Sequence, residues 1–106
     1  MAQQEIVDRP RILVVDDDAA LAEMLTLVLR NEGFLSEIVT RGDEAMAAFR
    51  AFRPDVVLLD LMLPGRDGID VCREIRAESG VPIVMLTARS DTVDVAGPYK
   101  SDAYRY

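Results

Sequence analysis

A chain of 106 residues, half of them apolar, is long enough to close one compact core and too short for two. Nineteen acidic residues against twelve basic give a net charge of −7, which argues against a phosphate backbone or an anionic membrane surface as partner and favours a cation. With one cysteine, Cys72, and no histidine, neither an internal disulfide nor a thiolate or imidazole zinc site can form.

The opening "MAQQEIVDRP" lacks the basic and apolar regions of a leader, and no apolar run approaches the ~18 residues of a membrane span. Residues 1–10 read as an N-terminal extension of a cytoplasmic protein with no membrane partner. The first strand is "RILVV", residues 11–15, and a helical stripe of Leu21, Leu25, Val28 and Leu29 follows, stopped by Gly33. The second strand, "FLSEIV" at 34–39, is interrupted by Ser36 and Glu37, which suits the edge of a sheet. Ala45, Ala48, Phe49 and Phe52 mark a second helix, and Pro54 precedes a third strand, "DVVLL" at 55–59. "GIDVCREIRAE" sets Ile69, Cys72 and Ile75 along one side of a third helix, with Asp70, Arg73, Glu74 and Arg76 outward. Gly80 reads as its stop, and Pro82 opens the fourth strand, "PIVML" at 82–86.

Strands alternating with helices imply right-handed crossovers and a parallel sheet between helical layers, an α/β architecture whose core runs over residues 11–89. Continuous Val, Ile and Leu runs mean strands covered on both faces. The tail, residues 90–106, has no sustained apolar period; Gly97-Pro98 breaks any helix begun at Asp91, and "SDAYRY" can supply at most a shortened fifth strand.

In a parallel sheet the carboxyl ends of all strands lie on one edge, where ligands bind. The first strand delivers Asp16, Asp17 and Asp18 there, the third Asp60, and the fourth Thr87. Carboxylates gathered in one pocket repel, so either their pKa values rise or a cation sits among them. Magnesium suits this all-oxygen donor set and suggests phosphoryl transfer, with Asp60 as nucleophile and the Thr87 hydroxyl as donor to a phosphoryl oxygen. Each residue alone has a plainer reading. Asp17 or Asp18 could cap the first helix, Asp60 could belong to the turn chemistry of Pro64-Gly65 and Asp67-Gly68, and Thr87 could be an ordinary strand residue. Their convergence favours the metal reading. Cys72 reads as a small core residue, and Arg66, Arg73 and Arg76 as solvated surface.

"ILVVDDD", "DVVLLDLMLPGRDG" and "VPIVMLTAR", in this order and spacing, resemble the receiver domains of bacterial two-component response regulators, with wording similar to the OmpR/PhoB class. The resemblance covers residues 10 to 95. It implies a flavodoxin-like (CheY-like) doubly wound sheet of order 2-1-3-4, here with the fifth strand and last helix absent or abbreviated. It also implies Asp60 as phosphoacceptor and Asp16 and Asp17 as the pair holding Mg²⁺. Met62 would add its backbone carbonyl to the metal, Pro64-Gly65 would shape the loop, and Thr87 would be the switch hydroxyl. A histidine kinase is the implied phosphodonor. The winged-helix DNA-binding domain usual in this class is not represented, so no nucleic-acid binding is expected of this segment. The family's Lys at the end of the fifth strand has no counterpart, because Lys100 follows Thr87 too closely for a helix and a strand to intervene.

That departure predicts a bare apolar edge on the fourth strand, self-association through it, and impaired switching. Three other functions are weighed. A phosphohydrolase of the haloacid-dehalogenase type would need a second Asp where Met62 stands, and an FMN site would set phosphate against the triple Asp. A phosphorylation-deficient interaction or self-association module is the remaining alternative.

Overall fold

A computed structural model describes residues 9–86 and 104–105. The elements in chain order are β1 (Arg11–Val15), α1 (Ala19–Asn31), β2 (Leu35–Val39), a 3-10 turn (Gly42–Glu44), α2 (Ala45–Phe52), β3 (Val56–Asp60), α3 (Gly68–Glu78), β4 (Ile83–Leu86) and β5 (Tyr104–Arg105). All strands are parallel in one sheet of order β2-β1-β3-β4-β5. The α/β sheet and its order are those expected, with the Ser36-Glu37 strand at one edge and β1 and β3 inside. Strand bounds move by a residue, most usefully at β3, which takes Asp60 as its last member in register with Leu86.

Alternation along the strands makes two cores of unequal size. Leu13 and Val15 of β1, Val57 and Leu59 of β3, and Ile83 and Met85 of β4 are buried with Phe49 of α2 and Val71, Cys72 and Ile75 of α3. On the other face Ile12, Val14 and Ala22 are buried, with Leu25, Leu29, Ile38, Val56 and Leu58 packed around them. Cys72 is thus the core residue expected.

The α1 stripe is rotated from the one the sequence suggests. Ala22 and Thr26 face the sheet, whereas Leu21, Met24, Leu27 and Val28 stay exposed, Leu27 at 62%. Leu25 and Leu29 of the expected stripe pack beside Ala22 on the sheet, and Leu21 and Val28 do not. Thr26 Oγ1 and Ser36 Oγ are buried with no hydrogen-bond partner among the described residues, and each such hydroxyl costs about 1–3 kcal/mol.

Helix ends show which punctuation the chain uses. Gly33 stops α1 as expected, with φ +94° and with Gly33 N–H on Arg30 O and Phe34 N–H on Leu29 O, a Schellman pair. Gly80 does not play that part for α3, which ends at Ser79 in extended conformation. There Arg76 donates to Ser79 O at 3.0 Å and to Val81 O at 2.8 Å, so it ties down the turn and is not the free surface cation the sequence suggests. At the end of α2 the left-handed position is taken by Arg53, φ 54°, without a glycine.

The bare edge predicted for β4 is corrected: Val84 and Met85 pair with Tyr104 and Arg105, so β5 is abbreviated, not absent. Thr87, Lys100 and most of the 90–106 tail lie outside the described residues. Among those described, no helix is long and apolar enough to cross a membrane.

Candidate functional site

β1 ends at Val15, and the next three residues are aspartates with different tasks. Asp16, 2% exposed, donates its N–H to Val39 O at 2.9 Å, which carries the sheet pattern one step past the strand. Its Oδ1 accepts the Asp18 N–H at 2.9 Å. Asp18 in turn is the N-cap of α1, its Oδ1 accepting the Leu21 N–H at 3.1 Å, the role the sequence left open between Asp17 and Asp18. Asp17, exposed, is left for other work.

Because Val15 pairs with Leu59, Asp16 and Asp60 are neighbours at the ends of adjacent strands. Ligand oxygens of Asp16, Asp17 and Asp60 lie within 4.8 Å of one another. Asp60 is partly buried, and its Oδ1 accepts the Met62 N–H at 3.1 Å. Burial raises its pKa from 3.8 to about 6; the Met62 N–H opposes the rise, and the negative charges of Asp16 and Asp17 add to it. A hard divalent cation would reverse that balance. The donors are carboxylates with no nitrogen or sulfur ligand among them, the only cysteine being in the core, so the residues fit Mg²⁺ or a similar ion.

Of the three carboxylates, Asp17 lines a hollow of about 740 Å³, together with Met62, Pro64, Gly65, Arg66 and Ile69 among others. Its wall is the segment from Leu61 to Asp67. Asp67 Oδ1 accepts the Ile69 N–H at 2.9 Å to cap α3, and Gly68 N–H reaches back to Leu61 O at 3.1 Å. Arg66 pairs with Glu74 at 3.0 Å. The structure therefore joins Asp16, Asp17 and Asp60, and sets Met62 beside them through its N–H. Thr87 is outside the described residues, although it follows directly on Leu86, the partner of Asp60.

Sequence reasoning missed a contact behind this wall. Gly42 N–H donates to Pro64 O at 2.9 Å, and Arg41 holds Asp43 through two hydrogen bonds of 3.0 and 3.1 Å. The available signal, a glycine between opposite charges, is too common in loops to mark a contact.

The family model described as the response regulator receiver domain matches residues 12–106. This chain belongs to the response regulator receiver domain family. It is 65% identical over 98 residues to the DNA-binding response regulator MtrA of Mycolicibacterium paratuberculosis, covering 92% of this chain and 44% of that protein. The chain spans less than half the length of the curated relatives it matches. Among solved structures, the response regulator TrrA from Thermotoga maritima in complex with Mg²⁺-BeF matches at TM-score 0.80 and 35% identity, covering 91% of this chain and 84% of that one. The BeF3-activated receiver domain of RstA from Klebsiella pneumoniae matches at TM-score 0.80 and 31% identity, over 90% and 83% of the two chains.

Proposed function

We propose that this chain is the phosphoacceptor module of a two-component system, taking a phosphoryl group on Asp60 from a histidine kinase with Mg²⁺. The observation that carries this reading is the meeting of Asp16, Asp17 and Asp60 oxygens within 4.8 Å at the carboxyl edge of the sheet. An Asp60 carboxylate oxygen attacks phosphorus, the bond from phosphorus to the kinase imidazole nitrogen breaks, and the nitrogen keeps the electron pair. Attack needs the ionised form. With its pKa raised by burial to about 6, Asp60 is mostly ionised at pH 7.

In this reading Asp16, Asp17, Asp60 and the Met62 backbone carbonyl hold the ion, which neutralises charge on the transferred group. The Thr87 hydroxyl is the switch donor to a phosphoryl oxygen. The product stays on the chain, so the module is stoichiometric and not a turnover enzyme, and it works in the cytoplasm beside its kinase. Binding of DNA, named for the MtrA relative, is not assigned to this segment.

Intact-mass measurement after Mg²⁺ and acetyl phosphate tests the assignment. One phosphoryl group is expected on the wild type and none on Asp60→Asn; a gain in both moves the acceptor elsewhere. A second reading, a module that associates with itself, is favoured by the exposed Leu21, Met24, Leu27 and Val28 on α1.

A further inference from the structure

The wall segment that carries Met62 is held at three places. Its start is fixed by the Met62 N–H on Asp60 Oδ1 and its end by Gly68 N–H on Leu61 O. Its middle is held by Arg41-Gly42-Asp43, which leads into α2 and belongs to neither strand of the site. Gly42 approaches so closely that a Cβ there would meet the carbonyl and Cβ of Arg66. On the other side Gly65 has φ +84°, and the space its side chain would occupy is filled by the Arg41–Asp43 pair: Asp43 Oδ1 would be 2.6 Å and Arg41 Nη2 2.8 Å from a Cβ. The two glycines thus let one turn nest into another, the Gly42 N–H on Pro64 O being the bond between them.

We infer that Arg41, Gly42 and Asp43 form a positioning brace that sets the Met62 backbone, and with it the Mg²⁺ affinity of the site, without touching the ion. The inference rests on the proposed metal role of Asp16, Asp17, Asp60 and Met62. A backbone carbonyl has no side-chain torsion with which to reach its ion, so its place is that of its loop. Groups that orient metal ligands from behind change affinity by about 10–100-fold when removed. The brace adds no net charge, since the Arg41 guanidinium cancels the Asp43 carboxylate it holds, and its effect on a cation must come through geometry.

The test is Mg²⁺ binding to chelator-stripped protein by isothermal titration calorimetry, with melting temperature recorded without metal. Gly42→Ala is expected to bind Mg²⁺ about tenfold more weakly, as the added methyl displaces the Arg66 end of the wall. The double variant Arg41→Gln/Asp43→Asn, which keeps the net charge, is expected to lose affinity in the same direction. A merely structural brace would lower the metal-free melting temperature and leave affinity alone. Wild-type affinity in a folded Gly42→Ala overturns the inference; should that variant not fold, wild-type affinity in the double variant does so. Asp16→Asn separates the two readings. If it binds Mg²⁺ as the wild type does, or the wild type binds none, the proposed metal site fails and the brace inference falls with it. If Asp16→Asn alone loses binding, only the brace is refuted.

Discussion

Removing the Asp60 charge should stabilise the metal-free protein, and the gain should depend on pH in a defined way. Burial and the neighbouring charges of Asp16 and Asp17 hold the Asp60 pKa at about 6, against 3.8 for a free carboxyl. A carboxyl that is harder to ionise folded than unfolded lowers stability wherever it is ionised. Below about pH 4 the unfolded chain is protonated as well and the penalty is absent; it grows between pH 4 and 6 and is complete above 6. Fully expressed, a rise of this size corresponds to about 3 kcal/mol. Asp60 is only partly buried and water screens it, which reduces the expected penalty to about 1 kcal/mol. Asp60→Asn keeps an oxygen to accept the Met62 N–H and removes the charge. Its melting temperature in chelator at pH 7.5 should exceed the wild type's by about 5 °C, with the difference shrinking towards pH 4. A difference that is negative, or flat across that range, would refute the electrostatic account of the site.

Mg²⁺ at about a hundred times its dissociation constant should stabilise the wild type by about 2.7 kcal/mol, and Asp16→Asn should remove the effect; thermal melts with and without metal decide this. Leu59, fully buried at the centre of the larger core, should cost about 3 kcal/mol when replaced by Ala, read from urea unfolding. Light scattering at rising concentration should show self-association that Met24→Lys/Leu27→Lys lowers, since both residues are more than half exposed. A wild-type monomer at every concentration refutes that reading.

The sheet was legible because its signals are one-dimensional: apolar runs mark strands, and an aspartate at the end of a run marks the rim. Asp16 and Asp60 meet because Val15 and Leu59 are paired, a register that follows once β1 and β3 are neighbours. The division of labour among Asp16, Asp17 and Asp18 was not legible, since it turns on which carboxylate reaches the Leu21 N–H. The α1 face was legible in part: Leu25 and Leu29 pack on the sheet as their spacing suggests, whereas hydropathy ranks the exposed Leu21 and Val28 above the buried Ala22 and Thr26. Arg53 in the left-handed region had no glycine to announce it, and the turn at Gly42 against Pro64 is a contact between two loops that no periodicity encodes.

The two faces of the sheet are unequal in strength. Beside the larger core, the α1 layer buries Ile12, Val14 and Ala22 and holds two hydroxyls without a partner among the described residues, so amide exchange should find it opening first. The chain leaves the sheet for the looser α1 layer at Asp16–Asp18, where a divalent ion joining Asp16 and Asp17 to Asp60 would act as a clasp. Loading the pocket would then slow the breathing of a helix that never touches the ion, and fraying of that helix would loosen the grip on the ion in equal measure.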